Sequence, residues 1–495
     1  MNAHPPTLGQ TRIWLLLALA VVGLGVVGVF LAGPPPPERV LILASPVDDQ
    51  GRDLGPGMET LLTDCMEVLA GATVIHAPTI PSREMLDRLP ANTRLLRFRG
   101  SRQGTDLALT LEWNSVSRFL ADQPWGTDAA LSQPPRQVLE QLIERWPLLL
   151  RHQHLDRLIP ASPERFWALL DGLTIQDDPT AVAHLEASQA LAEAEPGCAT
   201  VWAMLGDHLY RSLWVKPEQA GIGLNSRTHR AFEKAVRLVP GYPRATFLWS
   251  MMLTDTGNQN VALQVLRDGI QLRPGPADLY LGVAYAGRTS GLLDLARKAL
   301  ARRLKWLGPL ARPSSWFTET TYLYLGDLKR FGEDLSQTDS DPSDARLLFY
   351  KGYLALIQGD PGKALGFMRS GSRSGLTPAP FRDLCRAYQA YLEGRPKEGL
   401  AGLRELDQIR GKLHIPDGEW TFKEAEVYSL LGDADGGVDC ATRSFVQGFS
   451  CAAWYEGSPF LARVREHPRW PTLQRNILER QAVLAGSFPS SAFGL

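Results

Sequence analysis

A chain of 495 residues, 44% hydrophobic and 21% charged, is a folded protein too long for one ordinary core. Its formal net charge of −1 excludes a global pull toward nucleic acid, anionic lipid or acidic substrates. Five scattered cysteines (Cys65, Cys198, Cys385, Cys440 and Cys451) without a C-x-x-C pair exclude zinc and thioredoxin-type motifs; the odd count argues against a disulfide framework, although a single Cys440–Cys451 bridge stays open.

Residues 1–12 read as a short amino-terminal tail. Residues 13–33 form an uncharged run long enough to span a bilayer as a helix, with Trp14 at its start where an interfacial aromatic belongs. Pro34 follows directly on the small-residue boundary, which disfavours cleavage and predicts an uncleaved anchor. Arg12 on one side, against Arg39 offset by Glu38 on the other, orients the amino terminus to the cytoplasm. The expectation is therefore a single-pass protein of the inner (cytoplasmic) membrane with the bulk of the chain periplasmic. Gly23, Gly25 and Gly28 match G-x-G-x-x-G, but inside an apolar span they lack the strand and acid of a dinucleotide site and read as small helix residues.

A proline-rich spacer, 34–39, leads into a region of mixed α/β character, 40–147. Residues 40–44 and 72–77 are short apolar runs that predict strands. Between them Met58, Leu61, Leu62, Cys65 and Leu69 recur at helical spacing. A short helix follows over 82–89 with Ser82 as its cap. Residues 94–99 and 107–116 predict an antiparallel pair turning at 101–105, and 134–146 an amphipathic closing helix. The strand at 40–44, the helix at 57–70 and the hairpin from Phe98 through Gly100, Ser101 and Gly104 together resemble the TolB-like amino-terminal domain found before helical-repeat arrays in many bacterial proteins. That resemblance brings no catalytic residues. It leaves open a second reading, in which the α/β domain binds a small ligand and the chain is a sensing or accessory subunit of a membrane signalling or envelope complex.

From 151 to 446 the chain is organised by a ladder of glycines: Gly223, Gly257, Gly291, Gly326, Gly359, Gly394 and Gly432, spaced 33 to 38 residues apart. Five residues after the rung come Ala262, Ala296, Ala364, Gly399 and Gly437, where two helices must approach closely. Trp202, Leu205 and Gly206 match the W-x-x-L-G signature of a first helix. The ladder resembles a tetratricopeptide (TPR) array, each unit being two antiparallel helices, A and B. The fold class is thus mainly α: a TPR solenoid preceded by a small TolB-like α/β domain and one transmembrane helix.

Residues 447–480 carry Phe449, Trp454, Phe460, Leu461 and Trp470. They resemble the closing segment of TolB-like TPR proteins and predict a cap over the open end of the array. Residues 481–495 read as a tail, frayed from Ser487. No G-x-S-x-G, P-loop or H-E-x-x-H occurs, and Asp433, Asp435 and Asp439 have calcium-loop spacing without its glycine, so helix capping is the better account. The chain reads as a non-catalytic, membrane-anchored scaffold for protein–protein interaction. It calls for no cofactor, metal or nucleic acid and takes a protein or peptide partner in the TPR groove. Positions ten, six and three before each rung share one face of helix A. They place Trp316, Phe349, Tyr285, Tyr353, Tyr388 and Tyr391 there. The tyrosine hydroxyls predict a half-wet groove open to a peptide.

Overall fold

The structure is a computed structural model. It describes residues 39–43, 55–77, 81–90, 93–145, 154–175, 177–215, 223–308, 320–337, 341, 343–374, 379–410, 415 and 417–495. The amino-terminal tail, the 13–33 span and Trp316 lie outside the described residues. Among those described, no helix is long and apolar enough to cross a membrane. That finding corrects the expected inner-membrane placement.

The first elements alternate: β1 (Arg39–Leu43), α1 (Gly55–Ala70), β2 (Thr73–Ala77), α2 (Arg83–Asp87), β3 (Arg94–Gln103), β4 (Asp106–Ser115), α3 (Val116–Leu120), β5 (Gly126–Gln133) and α4 (Pro135–Arg145). The five strands form one sheet in the order β2-β1-β3-β4-β5. β1 runs parallel to β2 and β3; β3–β4 and β4–β5 are antiparallel. Ser82 and Ser115 open α2 and α3 by accepting backbone N–H bonds three residues on, as short polar caps do. Strand β5 was not legible in the sequence, because Gly126 to Gln133 carries little of the β-branched alternation that marks a strand.

The helices follow: α5 (Leu155–Leu158), α6 (Pro163–Leu173), α7 (Asp178–Ala183), α8 (Leu185–Ala194), then seven antiparallel pairs. These are α9 (Ala199–Val215) with α10 (Leu224–Leu238), α11 (Pro243–Asp255) with α12 (Gln259–Leu272), α13 (Ala277–Thr289) with α14 (Leu293–Leu307), and α15 (Thr321–Tyr324) with α16 (Leu328–Gln337). The last three are α17 (Ala345–Ile357) with α18 (Pro361–Ser372), α19 (Ala379–Leu392) with α20 (Pro396–Arg410), and α21 (Gly418–Leu431) with α22 (Ala434–Val446). Each rung glycine sits in the turn between helix A and helix B of a pair, and all seven have positive φ. The reason is local. At the six rungs from Gly257 to Gly432 the residue after the glycine donates its N–H back across the turn, as Asn258 does to Leu253 O (2.7 Å) and Asp360 to Ala355 O (2.9 Å). That closure requires a left-handed residue, which only glycine adopts at little cost.

After α22 come α23 (Ala452–Gly457), a 3₁₀ turn (Pro459–Leu461), α24 (Ala462–Arg465), α25 (Trp470–Ser487) and a last 3₁₀ turn (Ser490–Phe493). The carboxyl end is not a frayed tail. Phe488 and Phe493 are buried in the core beside α12 and α14. There Arg302 Nη2 donates to Gly494 O (2.6 Å). The apolar pair outweighs the ordering entropy that frays a polar end.

The α/β region and the array are not separate bodies: residues 38–495 form one compact unit. One hydrophobic cluster runs from Val40 and Met58 through Phe166, Phe232 and Leu279 to Phe493. Polar ties cross the same seam: Tyr242 OH to Asp64 Oδ2 (2.6 Å), Trp167 Nε1 to Thr105 O (2.9 Å) and Thr73 Oγ1 to Gly275 O (2.7 Å). A second cluster holds α15 to α25 together.

Candidate functional site: the A-helix face and its own segment

Helix A of a TPR-type pair presents one face to the inside of the array. On α17 that face carries Phe349 and Tyr353, on α19 Tyr388, on α15 Tyr324, and on α21 Glu419, Lys423 and Glu426. Residues 449–461 lie along it. The ring of Phe460 packs edge-on against Tyr353 (centroids 5.1 Å) and Tyr388 (6.3 Å). Trp454 stands 5.2 Å from Tyr324, and Phe449 stands 5.0 Å from Phe422.

This cover buries charges. Tyr353, Tyr388, Lys423 and Glu426 are all 0% exposed. A buried carboxylate needs partners, and Glu426 has several. Tyr353 OH donates to its Oε1 at 2.7 Å and Ser458 Oγ to the same oxygen at 2.6 Å. Tyr388 OH reaches Oε2 at 3.4 Å, and so does Lys423 Nζ. Lys423 Nζ also donates to Tyr353 OH (2.9 Å) and lies over that ring at 4.2 Å, with Trp454, Phe422 and Tyr324 between 5.4 and 5.5 Å. Burial lowers the Lys423 pKa, and the charges of Glu426 and Glu419 only partly restore it.

A second buried group sits on the same helix, at its first turn. Glu419 accepts from Thr320 (2.6 Å), Tyr324 (2.5 Å) and Arg288 Nη2 (3.1 Å). Burial opposes its charge, but Arg288 and the two hydroxyls outweigh it, so its pKa lies below the ordinary value. Next to it Asp255 accepts from the hydroxyls of Tyr210 and Tyr285. Burial, then the nearby charge of Asp417, pushes Asp255 up to about 8.

The structure thus separates the sequence-predicted groove residues. Tyr353, Tyr388 and Phe349 come together: Phe349 packs on both tyrosines, and both tyrosines touch residues 449–461. Tyr285 lies apart, on Asp255, and Tyr391 is half-buried at the edge of the second cluster. The expected half-wet hydroxyls are corrected. They face Glu426 and Asp255 rather than water, because the chain's own segment covers the face and supplies Ser458 to the same carboxylate. The sequence reading missed Lys423, Glu419, Arg288 and Ser458. The available signal was a run of charges, Glu419, Lys423 and Glu426, spaced four and three apart on one helix face.

Asp407, Glu424 and Cys440 bring ligand-type atoms within 4.8 Å of one another. Arg443 Nη2 lies among them, 2.5 Å from Asp407 and 2.8 Å from Cys440 Sγ, and Arg410 is 3.1 Å from Glu424. A guanidinium therefore takes the place a cation would occupy. Asp433 caps α22 through Gly436 N (2.9 Å).

No protein-family model and no curated protein matches the chain. Among solved structures it is similar to yeast Tom70, at 12% identity and a TM-score of 0.35 over 69% of this chain and 75% of that one. It is also similar to the P58(IPK) TPR domain, at 12% identity and a TM-score of 0.19 over 66% of this chain and 99% of that one. Likeness at this level says nothing of this chain's partners, and the repeat stands on its own period and helix pairing.

Proposed function

We propose that this chain is a TPR-type scaffold that acts by binding protein segments. The observation that carries the reading is the array itself holding a peptide segment: residues 449–461 lie on the A-helix face, with aromatic anchors in ring contacts and a hydroxyl on a carboxylate. Stacked helix pairs offer an extended recognition surface of this kind. Phe349, Tyr353 and Tyr388 belong to it in this reading, and Tyr285 and Tyr391 flank it. The order β1-α1-β2-α2-β3 with its long hairpin supports the TolB-like reading of the sheet region, which here is a platform sharing the array's core.

The test uses the full chain with a photo-crosslinking residue at Arg230, Arg386 or Leu478, three exposed positions on different helices. In its source cells, discrete protein adducts at one position and not the others are expected. Absence of adducts at all three contradicts the scaffold reading.

A further inference from the structure

The face beneath residues 449–461 is built unlike an ordinary core. Lys423, Glu426, Glu419 and Arg288 are buried under it, in pairs of 3.4 Å and 3.1 Å. Buried ion pairs are weak evidence for stability, since apolar residues of the same size hold a core as well or better. What such groups do permit is hydration once the cover lifts. An apolar face has no such alternative. The covering segment is also an imperfect fit: among the described residues the buried indole Nε1 of Trp454 has no acceptor, a defect that well-packed cores seldom carry. Its direct polar ties to the A helices are chiefly Ser458 Oγ to Glu426 and Ser450 N to Thr289 O (2.8 Å), while its other anchorage is to α22, through Tyr455 OH to Ala441 O and Ser444 Oγ (both 3.0 Å) and Phe449 N to Ser444 O (3.1 Å). Gly448, at φ +109, stands at its start where the chain turns onto the face.

We propose that residues 449–461 are an exchangeable ligand held in cis, and that the face from α15 to α21 takes in trans a protein segment of the same chemistry. This deepens the scaffold reading and rests on it. The partner segment carries aromatic anchors in the order Phe, Trp, Phe, at the spacing of 449, 454 and 460. It also bears a hydroxyl two residues before the last ring, which donates to Glu426. Phe460 sets specificity through Tyr353 and Tyr388; Trp454 does so by closing the aromatic cage around Lys423. While the cis segment is seated, the face is closed to that partner, so binding is autoinhibited.

Two measurements on the full chain test this. Hydrogen exchange followed by mass spectrometry needs no variant. The amides of 449–461 are expected to exchange through local opening, about tenfold or more faster than those of α17 and α21. Next, a fluorescent peptide of residues 447–463 is titrated against the parent and against Ser458→Ala, which loses the bond to Glu426 and the cap that Ser458 Oγ offers Phe460 N (3.3 Å). The variant is expected to bind the peptide about tenfold more tightly than the parent. A peptide lacking the Trp454 and Phe460 rings is expected not to bind. Exchange of 449–461 at the rate of α17 and α21, or a peptide that binds neither protein, overturns the proposal. Either result leaves the scaffold reading to its crosslinks on other surfaces, so the two failures are distinguishable.

Discussion

Asp255→Asn is a sharp test of the buried polar interior. Asp255 is buried and its carboxyl meets the hydroxyls of Tyr210 and Tyr285. Burial and the Asp417 charge raise it from the ordinary 3.8 to about 8. A raised acid keeps its proton in the folded chain and loses it in the unfolded one. Stability is therefore lost as pH climbs above about 4, and the loss levels off above about 8. At about 1.36 kcal/mol per unit, the penalty is about 2 kcal/mol at pH 5 and about 4 kcal/mol at pH 7. Asparagine imitates the protonated acid, with one donor and one acceptor for the two tyrosines, and does not titrate. The variant is expected to match the parent near pH 4 and to exceed it increasingly toward pH 8. Urea unfolding midpoints of both proteins at pH 4.5, 6, 7 and 8.5 measure this. Asp417, pushed up to about 6 by burial and Glu419, titrates in both proteins, so its own burial cancels and the difference curve carries Asp255 together with its repulsion from Asp417. Parallel curves across that range refute the assignment.

Lys423→Met strands the Glu426 carboxylate in the interior and is expected to cost about 3–5 kcal/mol; adding Glu426→Gln restores part of the loss, and a thermal melt in which the double variant is no better than the single rules the pairing out. Gly448→Ala and Gly326→Ala both force a side chain into positive φ, but the added Cβ meets Gln259 and Gly257 only at 448, where it comes within 2.7 Å of Gly257 Cα, and nothing within 4 Å at 326. The first is expected to lower the melting temperature clearly more than the second, whose cost is the backbone term of about 1–2 kcal/mol; equal losses contradict the close approach of the two turns. Trp454→Ala and Trp470→Ala each remove a buried indole and are expected to cost about 3–5 kcal/mol, read as the shift in the unfolding midpoint.

The helix pairs were legible because their signal is local. A closed turn between antiparallel helices demands positive φ, and at a period near 34 only glycine meets that demand, so Gly223 to Gly432 mark every pair. The strands 39–43 and 73–77 were legible for a similar reason, as short apolar runs between a helix and a turn. What lies over a face is a different kind of fact. The contact of Phe460 with Tyr353 spans more than a hundred residues, and no periodicity encodes it. A tyrosine hydroxyl satisfied by water and one satisfied by Glu426 look alike in sequence, which is why Tyr353 and Tyr388 were expected in an open groove. The same holds at the carboxyl end, where Phe488 and Phe493 are two rings in a small-residue stretch until α12 and α14 are in place to receive them.

The central claim is that residues 449–461 fill the A-helix face of their own array, and crosslinking from within the segment tests it most directly. With p-benzoylphenylalanine in place of Phe460, irradiation of the dilute full chain and peptide mapping by mass spectrometry are expected to yield an intrachain link to the α17 peptide containing Tyr353 or the α19 peptide containing Tyr388. Links confined to other helices, or formed only between chains, contradict it.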